Sequence, residues 1–372
     1  MDIFLNSLNS NLPKEEISED EAMRESIISA ELKNFVLRVN KRHEYADLLK
    51  EGTAVVGYKY EGNFDIETFI NSLLTTGFQA TNLGKAINIL REVREQQIPL
   101  YLGFTSNIGT CGLRETITYL TKNFHVRALA TTAGAVEEDV MKVFNPFILG
   151  ESRTNDRELF RRCINRTGNI FIPDSHYMCL HSLLYSMHKR LLQTHIKTQG
   201  YIDVVEYVYE LGHQLEILNV PHKEDSFVYW AYKNKIDLYC PALLDGAMGD
   251  GLYWFQRKIK ERFVVDIMGY IKRLTDDMIL AKAQTGGIAL WAIGGSVPKH
   301  MLCNSAIFVG GANYGIYVNT ATEADGSNAG APIDEAITWG KFGIDAKTVK
   351  IEAEATLVVP LIVTAAYQCY KC

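Results

Sequence analysis

Two familiar nucleotide-binding sequences are absent from this chain of 372 residues. No GxGxxG opens a strand-helix unit, and no GxxxxGK followed by Ser or Thr occurs anywhere. Such glycines let a backbone loop close around the pyrophosphate of a dinucleotide or the phosphates of a nucleoside triphosphate. Their absence argues against a standard Rossmann dehydrogenase and against a P-loop NTPase.

The sequence also lacks the features of membrane, nucleic-acid-binding and secreted proteins. No apolar run reaches the roughly 18 residues that a membrane span requires. The 38 Lys and Arg against 44 Asp and Glu leave a net charge of −6, whereas a nucleic-acid site needs massed basic residues. Seven scattered cysteines suit a reducing compartment, and no basic segment precedes an apolar core at the N-terminus. We expect a cytoplasmic protein with no membrane or nucleic-acid partner and no metal site.

The chain divides into a polar beginning and a longer patterned part. The first 50 residues are charge-rich, with helical periodicity only around residues 27–39, so we predict an N-terminal helical arm over 1–50. Hydrophobic residues make up 47% of the chain, which is long enough to bury a large core without disulfides. We predict a single α/β domain over 51–372.

Short strand-like runs alternate with amphipathic stretches from Ile98 onward. The runs that read as strands are IPLYLGFTS, VRALATTAG, GNIFIP, KIDLYCPAL, TGGIALWAIGG and YGIYVNTAT. Strands separated by helices favour parallel pairing through right-handed crossovers. We therefore predict a doubly wound, mostly parallel sheet flanked by helices, which is Rossmann-like without GxGxxG.

Small or polar residues follow most of these predicted strands. The clusters are Thr105 to Asn107, Thr131 to Gly134, Asp245-Gly246, Gly294 to Ser296 and Asn319 to Ala321. Open α/β sheets bind ligands at the carboxyl ends of their strands, where small residues let a cofactor approach the backbone. Each cluster alone is equally compatible with a plain turn, whereas five together indicate a dinucleotide-sized ligand.

The segment DGSNAGAPIDEAITWGK, residues 325–341, combines a glycine-rich turn with acidic, aromatic and basic side chains. Glu335 and Trp339 are four residues apart and share a face if the segment is helical, with Lys341 just beyond. A surface helix with a lysine near its end, favoured by the helix dipole, is the alternative.

Carboxylates also follow two predicted strands, as Glu137-Glu138 and as Asp245 and Asp250. Carboxylates combined with an aromatic face suit a polycationic amine, and His300 could act as a general base. Acidic residues that merely cap or begin helices are the alternative reading.

The order of these motifs resembles the deoxyhypusine synthase family. From about Leu73 to about Ala366 the chain carries TSN, RETI, TTAG, VEED, LGE, CPALLDG, MGD, VNTA, DGS and EAITWGK in the family's order. The resemblance implies NAD-dependent transfer of the aminobutyl group of spermidine to one lysine of eukaryotic initiation factor 5A. It also implies release of 1,3-diaminopropane and a cytoplasmic tetramer.

The resemblance implies roles for individual residues. Lys341 matches the nucleophile that forms an imine with the aminobutyl fragment, and His300 matches a catalytic position that also contacts spermidine. The other positions matching the spermidine site are Glu137, Asp250, Gly326, Ser327, Asn328, Glu335 and Trp339. The positions matching the NAD site are Ser106, Asn107, Thr132, Ala133, Gly134, Glu138, Asp245, Gly295, Thr320, Ala321, Glu354 and Ala355.

The chain departs from the family pattern at Asn328, where the family usually has Asp, and at Glu354, where it has Asp near NAD. Further departures are Gly109, Thr110, Ala135, Ser296 and Pro298. The lost charge at residue 328 keeps open a weakly active or non-catalytic regulatory subunit that would form a heterotetramer with a paralogue, in place of a homotetramer. A homospermidine synthase-like enzyme, with a small polyamine as acceptor, is a third reading.

Overall fold

The computed structural model describes residues 18–40 and 52–368. The chain divides into two compact units, the first ending at Val55 and the second beginning at Val56. In the first unit, helix α1 spans Glu19–Asn40, which confirms the predicted N-terminal helix. It begins ahead of the periodic residues because Ser18 and Glu21 form a capping box: each backbone N–H donates to the other's side chain. The predicted domain boundary after residue 50 lies outside the described residues and stays a prediction.

The described strands all belong to the second unit. In chain order they are β1 (Leu100–Phe104), β2 (Ala128–Ala130), β3 (Ile148–Leu149), β4 (Ile164–Thr167), β5 (Ile170–Pro173), β6 (Ile202–Asp203), β7 (Asp237–Tyr239), β8 (Val265–Asp266), β9 (Ala289–Ile293), β10 (Ala312–Asn319) and β11 (Phe342–Glu352). Six of them form one parallel sheet in the order β11-β10-β9-β1-β2-β7.

Helices separate most of these strands along the chain. They are α2 (Ile66–Thr76), α3 (Phe78–Glu95), α4 (Ser106–Thr110), α5 (Arg114–Lys122), α6 (Ala133–Lys142), α7 (Asp156–Arg161), α8 (Asp174–Leu191), α9 (Lys197–Gln199), α10 (Val204–Ile217), α11 (Phe227–Asn234), α12 (Ala247–Gln256), α13 (Gly269–Thr285), α14 (Ser296–Ile307), α15 (Ile333–Thr338) and α16 (Ala355–Tyr367). A π-helical segment, Leu192–Ile196, joins α8 to α9. No helix in the described parts of the chain is long and apolar enough to cross a membrane.

The strand order of the parallel sheet reverses direction between β1 and β9. From β1 the chain builds outward through β2 to β7, and from β9 it builds outward on the other side through β10 to β11. This is the order of the doubly wound dinucleotide-binding fold, in which a crevice opens where the two halves diverge. The predicted α/β fold with a mostly parallel sheet is therefore confirmed.

Two strand assignments need correction. The run GNIFIP contains β5, which is not in the parallel sheet but pairs antiparallel with β3 and β4 in a separate small sheet. The sixth parallel strand is instead β11, which the sequence pattern did not reveal. Because β11 lies at the sheet edge, many of its side chains are exposed or only partly buried, so it lacks the continuous apolar run of an inner strand.

Candidate active site

All twelve residues predicted to contact a cofactor lie in the loops or helices that follow the six parallel strands. Ser106 and Asn107 follow β1; Thr132, Ala133, Gly134 and Glu138 follow β2; Asp245 follows β7; Gly295 follows β9; Thr320 and Ala321 follow β10; Glu354 and Ala355 follow β11. Because carboxyl ends of parallel strands share one edge, the fold gathers these residues at the edge that contains the crevice.

The loops that end β1 and β9 touch across this crevice. Gly294 has a φ of +86°, and a Cβ at this position would lie 2.6 Å from Thr105 Oγ1. A Cβ at Gly134 would lie 2.8 Å from Ser106 Oγ, and one at Gly295 would lie 2.5 Å from Ala329 Cβ. Gly294 and Gly295 therefore leave no room for a side chain, and a side chain at Gly134 would displace Ser106; with glycine at all three positions the helix N-termini stay uncovered.

Polar groups at the same edge are available to a ligand. Ser106 and Thr132 hydroxyls lie 2.5 Å apart and connect the ends of β1 and β2. Asn319 is buried at the end of β10; its Oδ1 accepts from Ala321 N at 3.1 Å, while its Nδ2 has no partner among the described residues. A buried amide donor without a partner, at the same sheet edge as Gly134, Gly294 and Gly295, fits a polar cofactor such as a dinucleotide.

Two neighbouring carboxyls on α6 are protonated more readily than free ones. Burial raises the pKa of Glu138 to about 7, although Thr110 donates a hydrogen bond to it. Burial also raises the pKa of Glu137, opposed by backbone hydrogen bonds that include Met248 N at 3.0 Å. Perturbed carboxyls at the ligand-binding edge of a sheet are typical of a functional site.

Gly109, Thr110 and Ala135, three positions predicted to depart from the family pattern, lie where α4 packs against α6. Gly109 on α4 faces α6, where an added Cβ would lie 2.9 Å from the carbonyl oxygen of Ala135. Glycine on α4 thus leaves room for alanine on α6. Thr110, the next residue, supplies the hydroxyl that binds Glu138. These contacts pack α4 closely against α6 in this chain.

Five predicted site residues line a second feature, a cavity of about 340 Å³ beside α14. They are His300, Asn328, Glu335, Trp339 and Lys341. Lys341 follows α15 and the left-handed Gly340, which turns the chain from the helix into β11. The Lys341 side chain is 8% exposed, and its Nζ lies 5.8 Å from the centre of a Trp339 ring. A buried primary amine facing a cavity is the arrangement that imine chemistry requires.

His300 is suited to accept a proton in this cavity. Burial lowers its pKa, and the positive charges of Lys341 and Lys299 lower it further. The imidazole is therefore neutral near pH 7 and has a free lone pair.

Lys299, the residue before His300, was not among the residues that the sequence predicted for the site. Lys299 is 4% exposed and lines the cavity, where its Nζ donates to the carbonyl oxygen of Asn328 at 2.6 Å. The Nζ also lies 4.0 Å from the ring centre of Tyr317. The only signal in the sequence was the position of Lys299 next to the predicted base His300, near a helix N-terminus. Because lysines are usually exposed, this position did not indicate that Lys299 is buried.

Two predicted amine-binding residues lie away from this cavity. Glu137 on α6 and Asp250 on α12 follow β2 and β7, on the other side of β1 from the cavity, and the charge of Asp250 adds to burial in raising the pKa of Glu137. Gly326 and Ser327 precede Asn328 in one loop, where the Ser327 hydroxyl accepts from Gly330 N at 3.2 Å. No cluster of metal-binding side chains occurs among the residues with described positions.

Comparison with known proteins agrees with this architecture. The family model for deoxyhypusine synthase matches residues 68–366. A protein assigned as deoxyhypusine synthase in Pyrococcus furiosus is 41% identical over 319 residues, covering 84% of this chain and 94% of its own length. One from Drosophila melanogaster is 37% identical over 343 residues, covering 86% and 90%. A crystal structure assigned to the same activity, from Entamoeba histolytica, has a TM-score of 0.59 at 27% identity and covers 85% of this chain and 98% of that one. The chain belongs to the deoxyhypusine synthase family.

Proposed function

We propose that this chain uses NAD to transfer the aminobutyl group of spermidine to a lysine of eukaryotic initiation factor 5A in the cytoplasm, releasing 1,3-diaminopropane. The observation that carries the proposal is the cavity that brings the amine of Lys341 together with His300, Glu335 and Trp339. Family membership supports the same transferase activity.

The cavity residues divide the work of this transfer. Lys341 Nζ would attack the aminobutyl carbon of spermidine after that carbon has lost a hydride and become an imine carbon. The C–N bond to 1,3-diaminopropane then breaks, and Lys341 holds the aminobutyl fragment as an imine until the acceptor lysine replaces it. Neutral His300 accepts the proton that the Lys341 ammonium must lose before its nitrogen can attack. Glu335 pairs with a positive nitrogen of spermidine, and the Trp339 face contacts the cationic chain.

NAD fits the crevice at the carboxyl edge of the sheet. Gly134, Gly294 and Gly295 leave the backbone open to a ligand, and Asn319 Nδ2 offers a buried donor without a partner among the described residues. When bound there, it supplies the hydride acceptor and donor for a transfer with no net redox change. Ser106, Thr132 and Gly295 would hold it, and Glu138, protonated in part near pH 7, would present a donor or acceptor to it.

Mass spectrometry of factor 5A tests the proposal directly. The factor is incubated with the purified chain, spermidine and NAD, and aminobutyl addition at its target lysine is scored. We expect addition that requires both spermidine and NAD. No addition by folded protein would favour the second candidate, a regulatory subunit, which the uncharged Asn328 in the cavity also suggests. Formation of homospermidine from putrescine, without modification of the factor, would identify the small-polyamine acceptor.

We also propose a homotetramer, or a heterotetramer with a paralogue. The separation of Glu137 and Asp250 from the Lys341 cavity supports a site that a single chain does not complete. Light scattering should therefore show an oligomer, and a stable monomer with full activity would contradict the shared site.

Restoring the family carboxylate at residue 328 should strengthen amine binding. Asn328 lines the cavity, so Asn328→Asp adds a negative charge near the path of a polyamine. A charged hydrogen bond contributes about 1.5–3 kcal/mol, and we expect the KM for spermidine to fall about tenfold or more at an unchanged KM for NAD. Asn304→Asp, at another lining position, is the matched control for added charge alone. An unchanged KM in Asn328→Asp would mean that the ligand does not approach this side chain.

A further inference from the structure

Lys299 places a buried positive charge in the cavity without a carboxylate partner. Its contacts are a backbone carbonyl, that of Asn328, and the face of the Tyr317 ring. The lysines that form ion pairs in the described part of the chain include neither Lys299 nor Lys341. Buried charges are usually paired, so an unpaired ammonium here has a cost that function must explain.

The groups around Lys299 make the cavity electropositive. Those that face or influence it are His300 and Cys303 on α14, Tyr317 on β10, Lys350 on β11, Lys341 before β11, and Glu335 on α15. Glu335 is the one carboxylate in this set and faces the amines of Lys299 and Lys341, while Lys350 is already paired with Glu352 at 3.2 Å. A second ammonium brought beside Lys299 by a ligand is repelled strongly, because a desolvated site screens charges weakly.

We propose that Lys299 determines the affinity of the cavity for cationic amines, and that it gives up its proton when such an amine binds. The inference rests on the proposed function, which supplies the amine. Loss of one proton from Lys299 Nζ to solvent removes one positive charge as the ligand brings one in. The neutral amine can still donate to the Asn328 carbonyl, so the loop of Asn328 keeps its position.

The pKa of Lys299 lies close enough to neutral pH for the lysine to lose its proton when an amine binds. Burial lowers its pKa to about 8, and repulsion by Lys350 and Lys341 lowers it as well. Lys299 is thus mostly charged at pH 7 and mostly neutral at pH 9. If the amine binds only to the neutral form, the apparent affinity rises about tenfold between these pH values.

Isothermal titration of spermidine into the full chain, with NADH in place of NAD so that spermidine binds without being oxidised, tests this inference at pH 7, 8 and 9. Buffers of different ionisation enthalpy report the protons released on binding. Lys299→Met removes the charge, and Lys299→Gln does so while retaining a donor for the Asn328 carbonyl. Lys299→Arg keeps both the donor and a permanent charge. Lys282→Met is the matched control, because Lys282 also donates to backbone carbonyls, of Val309 and Gly311, but does not line the cavity.

At pH 7 the native chain should release close to one proton for each spermidine bound. Its affinity for spermidine should rise between pH 7 and pH 9 about tenfold more than the affinity of the neutral variants does. The comparison with Lys299→Met and Lys299→Gln removes the titration of spermidine itself. Both neutral variants should bind spermidine about tenfold more tightly than the native chain at pH 7, and about as tightly as the native chain at pH 9. Lys299→Arg should bind at least tenfold more weakly than the native chain at pH 9, and Lys282→Met should match the native chain.

Two results would overturn the inference. Equal pH dependence in the native chain and the neutral variants would show that Lys299 is not titrated on binding. Native-like binding by Lys299→Arg with weak binding by Lys299→Met would show that the lysine only holds the Asn328 loop. Failure of the proposed function looks different: the native chain would bind no spermidine even at pH 9, which would overturn both.

Discussion

Replacing Lys341 by arginine should reduce aminobutyl transfer to factor 5A on the order of 10³-fold or more. Arginine keeps the positive charge and the approximate length of the side chain, but its guanidinium does not deprotonate and has no lone pair for attack on the aminobutyl fragment. Loss of a nucleophile is among the largest single-residue effects in catalysis. Because the cavity and its charge are preserved, spermidine binding should remain, and spermidine-dependent NADH formation should persist.

The measurement is a time course of factor 5A modification by mass spectrometry, with NADH absorbance recorded in parallel. Lys347→Arg is the matched control: Lys347 lies on β11, six residues after Lys341, but it is exposed and paired with Glu92 at 2.7 Å. The control should transfer at the native rate. Full transfer by Lys341→Arg would show that Lys341 is not the nucleophile.

Replacing Asp139 by asparagine should destabilise the chain by about 3–5 kcal/mol. Asp139 is completely buried on α6, directly after Glu138. Its carboxylate accepts from Arg114 Nε at 2.6 Å, from Ser226 Oγ at 2.5 Å and from Val228 N at 3.1 Å. It therefore connects α5, α6 and the start of α11. Asparagine leaves the buried guanidinium of Arg114 with only the exposed carboxylate of Glu115, 3.7 Å away, which costs more than losing an exposed ion pair.

Urea unfolding followed by circular dichroism would show this as a lower transition midpoint. Asp276→Asn is the matched control, because Asp276 pairs with Lys272 four residues away on the exposed side of α13. Such a pair contributes a few tenths of a kcal/mol, so its loss should change the midpoint little. A change below about 1 kcal/mol for Asp139→Asn would mean that water relieves Arg114 once the carboxylate is gone.

Some properties could be read from the sequence because they depend on local pattern. Alternating strand and helix signals predict a parallel sheet whatever the details of packing, and ligand-binding residues at strand ends then share one edge. The motif EAITWGK indicated the family and predicted Lys341 as the nucleophile. The edge strand β11 escaped notice because burial on a single side leaves no continuous apolar run.

Only the tertiary structure decided how these residues meet. Local pattern cannot show that Gly109 packs on Ala135, that Thr110 binds Glu138, or that Glu137 and Asp250 lie apart from Lys341. Nor can it show that Lys299 is buried, because a lysine is exposed by default and its burial depends on contacts with distant segments at Tyr317 and Asn328. The sequence by itself determined the family and the parallel character of the main sheet, and it predicted Lys341 as the nucleophile. The packing of distant segments decided the charge and acidity of the cavity, because desolvation and Coulomb interactions depend on distance in space and not on position along the chain.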